Sequence, residues 1–110
     1  MAQIRIKHGE ELLWYNLLKY RSNGTPADLT GVSAYSQMRT IPEGELVAEG
    51  VCTVDAQNGT VTTLYVSGIT DELKEGEYGF DVWLDANGKN VCIDTVQITI
   101  LGRYTEVENA

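Results

Sequence analysis

One stretch constrains this chain more than any other: Leu73-Lys74-Glu75-Gly76-Glu77-Tyr78-Gly79-Phe80-Asp81-Val82-Trp83-Leu84. From Tyr78 the apolar residues Tyr78, Phe80, Val82 and Leu84 take every second position, and Gly79, Asp81, Trp83 and Asp85 take the alternate ones. Successive side chains of a strand point to opposite faces, so this period of two buries one face and frees the other. The strand is entered through Leu73-x-x-Gly76-x-Tyr78, a tight corner whose first inward residue is a tyrosine. A hydroxyl at that place is expected to return to backbone near the corner. Leu73, Gly76 and Tyr78 are therefore expected to serve structure.

The rest of the chain reads as further strands punctuated by turns. Ala2 to Lys7 alternates, with Ile4 and Ile6 on one face, and reads as a strand rather than a signal peptide. Glu11 to Tyr20 is rich in leucine and aromatics and would suit a helix almost as well, but its tryptophan and tyrosines favour the pleat. Asn16 falls where an apolar residue should stand, so a bulge near Tyr15–Asn16 is expected to restore the phase and bring Leu17 inward. Asn23-Gly24-Thr25-Pro26 is turn chemistry, followed by Asp28-Leu29-Thr30-Gly31, in which the aspartate can bond backbone two residues on, Leu29 is an apolar plug and Gly31 releases the chain. Val32 to Arg39 resumes as a strand with Val32, Ala34, Ser36 and Met38 on one face and Ser33, Tyr35, Gln37 and Arg39 on the other.

Leu46 to Asp55 reads as two short strands or one broken at Glu49-Gly50. Gln57-Asn58-Gly59 is a hairpin signal. Thr60 to Val66 is a strand in which Val61 and Leu64 share a face only if Thr62–Thr63 is bulged. A helical turn is expected near 69–74, capped by Ser67 or Thr70, with Asp71 and Glu72 in its first turn. Ala86-Asn87-Gly88-Lys89 closes a hairpin, and Val91 to Leu101 is the last long strand, with Val96, Ile98 and Ile100 inward. About seven to nine short strands, with turns roughly every eight to twelve residues, predict an all-β, immunoglobulin-like antiparallel β-sandwich over residues 1–102. Residues 103–110 read as an acidic C-terminal arm.

Composition narrows the function. The formal net charge of −8 disfavours phosphate backbones and anionic lipid, so neither nucleic acid nor a membrane surface is an expected partner. Cys52 and Cys92 stand in no CxxC, and the single histidine, His8, cannot build a cysteine–histidine zinc site; both thiols are expected free and partly buried. No serine stands in a nucleophile elbow and no glycine-rich phosphate loop is present. Asp85-Ala86-Asn87-Gly88 begins like a calcium loop but lacks the closing glutamate, and reads as a hairpin turn. No catalytic residue, metal or cofactor is therefore expected.

What the outward positions offer is recognition. Asp81 and Asp85 are expected on the outer face of one strand, joined by Asp94 only if the last strand is bulged. Trp83 lies among them, either as an open platform or covered by a loop. An exposed tryptophan beside acidic groups suits a protein interface or a sugar platform. In the sugar reading Trp83 acts with Asp81, Asp85 and Tyr65.

Two motifs together resemble a family. Asn23-Gly24-Thr25-Pro26-Ala27-Asp28-Leu29-Thr30-Gly31, followed by a strand ending Gln37-Met38-Arg39, is similar to one segment of small immunoglobulin-like structural proteins of tailed bacteriophages and prophages. Leu73-x-x-Gly76-x-Tyr78-x-Phe80-Asp81-Val82, with Asn87-Gly88 after it, resembles a second. These proteins include the N-terminal domain of upper-baseplate proteins that anchor receptor-binding proteins. Order and spacing are similar over roughly residues 5–100, and Leu12–Leu18 is slightly longer than the family pattern. The resemblance implies a non-enzymatic virion structural module, made in the bacterial host cytoplasm, whose partners are other virion subunits or copies of itself. It supplies no catalytic residues. The expected contacts are Trp83, Asp81 and Asp85 on the outer face, Ile4 and Ile6 of the first strand, and Tyr104 of the arm, with Tyr78, Gly76, Leu73, Asp28 and Gly31 holding the fold.

Overall fold

In the computed structural model, residues 2–20 and 22–102 are described. Arg21, Tyr104 and the acidic arm 103–110 lie outside them. Over the described residues the fold is all-β: seven strands and one short helix. The strands are β1 (Ala2–Lys7), β2 (Leu12–Leu17), β3 (Ser33–Thr40), β4 (Leu46–Asp55), β5 (Thr60–Tyr65), β6 (Gly76–Ala86) and β7 (Lys89–Leu101), with α1 (Ser67–Glu72) between β5 and β6. They form one mixed sheet in the order β1-β7-β6-β3-β4-β5-β2 that folds back on itself. Every pairing is antiparallel except β1 with β7, which is parallel; here the expectation of a wholly antiparallel sheet fails.

The fold-back happens in β4, which is one continuous strand rather than two. Its first half pairs with β3 up to Gly50, and from Val51 it pairs with β5. Gly50 makes the change of partner possible: a Cβ there would lie 2.9 Å from the Tyr65 ring and 3.0 Å from the Thr63 methyl. The two halves then face each other across a core built from inward alternation, with Tyr78, Phe80, Val82 and Leu84 of β6 and Val96, Ile98 and Ile100 of β7 all buried. Phe80 sits at the centre. Its ring centroid is 5.3 Å from that of Tyr65 on β5 and 6.1 Å from that of Trp14 on β2, the latter edge-on.

The corners behave as their residues predict. Tyr78 is buried and its hydroxyl donates to the Lys74 carbonyl at 2.7 Å, fixing the entry into β6. Leu73 is buried beneath the corner, and Gly76 opens β6 opposite Ile100. Asp28 Oδ1 accepts the Thr30 N–H at 3.0 Å and the Thr30 hydroxyl at 2.6 Å, Leu29 plugs the core, and Gly31 takes φ +77°, which L side chains rarely adopt. Asn87 and Gly88, at φ 53° and 81°, make the two-residue turn between β6 and β7.

Four local expectations are corrected. β2 and β5 pair in unbroken register from Leu12↔Tyr65 to Leu17↔Thr60, with no bulge at Tyr15–Asn16 or at Thr62–Thr63. Asn16 itself turns inward and Leu17 outward, because a buried acceptor, Asp94, takes the amide N–H, while the amide Oδ1 is buried with no hydrogen-bond partner among the described residues. On β5, Val61, Thr63 and Tyr65 face the core and Leu64 does not. A bulge occurs instead in β7: Val82 pairs with Asp94 and Trp83 with Cys92, leaving Ile93 as the extra residue. That insertion turns Cys92 outward, so this thiol is exposed, while Cys52 is half-buried and both are free. Finally, α1 starts at Ser67, two residues before the expected turn, and no side chain caps it. Thr70 is instead buried, donating to the Glu10 carbonyl at 2.7 Å and tying the helix to the turn before β2.

Candidate functional site

The register of β3 against β6 assembles the outer face on which the sequence places its recognition residues. Tyr35 lies opposite Trp83, Gln37 opposite Asp81, and Arg39 opposite Gly79. Those six residues line a groove of about 270 Å³. Gly79 leaves its floor without a side chain, and the Ile41 side chain approaches to 3.2 Å of the place a Cβ would take. Aromatic surface stands at one end and a guanidinium at the other.

Each wall is braced. The Trp83 indole N–H donates to Asp81 Oδ2 at 3.2 Å, two residues away on the same face. The Tyr35 hydroxyl donates to Asn90 Oδ1 at 3.0 Å. Arg39 spends one guanidinium nitrogen on the Gly44 carbonyl at 3.0 Å and another on Gln37 Oε1 at 3.1 Å. Trp83 is half-buried, forming a wall of an open groove rather than lying beneath a loop. Two aromatic side chains, an amide, a carboxylate and a tethered cation can together stack on and hydrogen-bond a polar ligand or a partner's loop.

The structure brings Trp83 and Asp81 together and separates the other expected residues from them. Asp85 Oδ1 accepts the Gly88 N–H at 3.0 Å, so this carboxylate serves the hairpin turn. Asp94 faces the interior opposite Val82. There its Oδ2 accepts the Trp14 indole N–H at 2.8 Å and the Asn16 amide at 2.9 Å. Tyr65 is fully buried with its hydroxyl 2.7 Å from that of Ser36, which removes it from any sugar platform; burial pushes its pKa up to about 12. Ile6 is core. Ile4 is half-buried and lines a shallow groove with Gln3, Arg5, Glu77, Gln97 and Thr99. Of the two isoleucines only Ile4 thus reaches the surface, beside the backbone edge and polar side chains of β1.

Tyr35, Gln37 and Arg39 were not among the expected contacts. Their shared face is legible in the alternation of β3; that β3 lies beside β6 is not. Among the described residues no group of three or more His, Cys, Asp or Glu side chains is placed to hold a metal ion. Carboxyl groups also hold turns: hydrogen bonds from the Thr30 side chain and backbone lower the Asp28 pKa, and those from Asn58 lower that of Asp55.

No family model matches the chain, and no curated protein matches it. Among solved structures, it is similar to the N-terminal domain of phage TP901-1 ORF48, at 16% identity over 90% of this chain and 84% of that one, with a TM-score of 0.43. A likeness of that degree fixes neither family nor activity.

Proposed function

We propose that this chain is a non-enzymatic structural protein of a tailed-bacteriophage virion, an immunoglobulin-like module that docks onto other subunits. The observation that carries the reading is where the two phage-like motifs fall. Asp28, Leu29 and Gly31 of the first and Leu73, Gly76 and Tyr78 of the second all hold corners, leaving the outer groove and the sheet edges for contact. A scaffold with firm corners and, among the described residues, two open edge strands suits docking by strand addition. The virion position within this reading is baseplate, fibre anchor, connector or decoration, with the acidic arm 103–110 and its Tyr104 as a further contact.

The test is incorporation. A chain ending at Leu101 folds normally and is lost from purified particles, as read by virion mass spectrometry and cryo-electron microscopy. Full incorporation of the shortened chain would remove the arm from the proposal, and absence of the full-length chain from particles would remove the proposal itself.

A second reading, a carbohydrate-binding module, is favoured by one observation: Tyr35 and Trp83 stand side by side above Gln37 and Asp81. It requires that the folded protein bind glycans and that Trp83→Ala abolish that binding without unfolding. Silence on a broad glycan array would end it.

A further inference from the structure

The last strand of the sheet, β2, carries a surface unlike the rest of the chain. Leu12 to Leu18 contains no charged residue in a protein of net charge −8. On its outer face Leu13, Tyr15 and Leu17 are 59%, 63% and 48% exposed. They continue across the sheet to Leu64 on β5 and Val51 on β4, which lie in one row with Leu13. Folded proteins ordinarily guard such an edge with lysine, proline or a bulge. The opposite edge, β1, carries Arg5 and Lys7; β2 has no such guard.

The backbone of β2 is set for a further partner. The Leu18 N–H donates to the Gly59 carbonyl at 2.8 Å, and the Leu18 carbonyl accepts from Ala27 at 2.9 Å on that same side. Alternate residues of an antiparallel strand turn their N–H and C=O groups to opposite sides. Leu12, Trp14 and Asn16 therefore face β5, and Leu13, Tyr15 and Leu17 present their backbone groups at the free edge. The residues with exposed side chains are the residues with outward backbone groups.

We propose that this edge pairs with the same edge of a second copy, antiparallel about a two-fold axis through Tyr15. Charge selects the register. With Tyr15 opposite the partner's Tyr15, Leu13 meets the partner's Leu17, and Glu11 meets the partner's Lys19. Every pair then joins residues whose backbone groups face outward, and the two charges that bound the apolar strip are neutralised at both ends. A shift of two residues one way sets Glu11 against Leu17 and Lys19 against Gly9 and forfeits both ion pairs; a shift the other way carries Glu11 past the end of β2 to Arg21 and sets both copies of Lys19 against the apolar Leu13. Two chains of charge −8 repel at a distance, and the uncharged strip is where they approach with least opposition. The interface is isologous and closes at two copies. It rests on the edge of β2 alone and stands apart from the virion reading.

Sedimentation velocity over a concentration series, with the full chain, tests it. The wild type is expected to show a reversible monomer–dimer equilibrium. Tyr15→Pro deletes an edge N–H without touching a bond to β5, as proline is tolerated on edge strands, and should weaken the dimer by about tenfold or more. Glu11→Lys and Lys19→Glu, each alone, should weaken it about fivefold, and the two together should restore it. Should Tyr15→Pro fail to fold by circular dichroism, the charge series decides alone. A chain that stays monomeric throughout would overturn the proposal and leave the edge to another subunit. A dimer indifferent to the single reversals, or not rescued by the double swap, would overturn this register.

Discussion

The chain has two tryptophans, and each donates its indole N–H to an aspartate, but the two pairs have different work. Trp14 and Asp94 come from strands of opposite halves of the sheet, β2 and β7, and their 2.8 Å bond spans the sandwich. Asp94 also takes the Asn16 amide and, through Oδ1, the N–H of Thr95 at 2.9 Å, so one carboxylate gathers three donors. Trp83 and Asp81 sit two residues apart on one strand and face solvent, joined at 3.2 Å. The inner pair links layers; the outer pair braces a groove. A polar bond is a structural tie when it connects distant segments away from water, and a local adjustment when it does not.

Truncating each tryptophan is the strongest way to break this contrast. Trp14→Ala removes an aromatic that packs edge-on against Phe80 and should cost about 3 kcal/mol or more in urea denaturation. Trp83→Ala should cost about 1 kcal/mol or less, since its outer face already meets water. Similar losses from both would mean that the outer tryptophan is part of the core. Removing the acceptors sharpens the same point with less change in volume. Asp94→Ala strands two side-chain donors inside the sandwich and should cost about 2–3 kcal/mol, against about 0.5 kcal/mol or less for Asp81→Ala. A cost for Asp94→Ala as small as that for Asp81→Ala would mean that water takes over the inner donors.

The two pairs also differ in how far the sequence discloses them. The outward parity of Trp83 and Asp81 is legible from alternation alone, as is the inward parity of Phe80 and of Asp94 with Val96. The tyrosine corner is legible too, because Leu73, Gly76 and Tyr78 are local to one another. Asn16 is misread because a buried amide breaks an apolar period unless its acceptor is known, and that acceptor lies 78 positions away. Postulating a bulge repairs the pattern in the wrong place; the sheet is bulged instead at Ile93, where β7 pairs with β6, and at Val47, where β4 pairs with β3. Tyr35, Gln37 and Arg39 escape for the same reason, since strand neighbourhood is a long-range fact that no window along the chain contains. The parallel pairing of β1 with β7 is another.

Buried tyrosines extend the contrast to pH. Burial raises the pKa of Tyr65 to about 12 and also raises that of Tyr78. A tyrosine is neutral when protonated, so the folded chain holds these protons at a pH where the unfolded chain, near the ordinary value of about 10, releases them. Over that interval the unfolded state binds fewer protons, and stability falls as pH rises. Stability should be insensitive to these two groups below about pH 10, decline toward about pH 12, and decline less in Tyr65→Phe. Urea midpoints measured across this range check it, and an unchanged slope in Tyr65→Phe would show that other groups drive alkaline unfolding.

Tyr78→Phe is the smallest change and the most local. It deletes one hydroxyl, whose 2.7 Å bond to the Lys74 carbonyl closes the corner into β6, and leaves the ring in place. The expected cost is about 1 kcal/mol, the worth of one such bond. Its position makes a second demand. The corner holds the start of β6, with Tyr78 five residues before Trp83 on the same strand, while the groove is braced by its own bonds to Asp81, Asn90 and Gly44. Amide exchange should therefore quicken around Lys74 to Glu77 and stay unchanged at Asp81 to Trp83. Exchange quickening at both places would show that the corner supports the groove, and that firm corners and free faces are one mechanical unit rather than two.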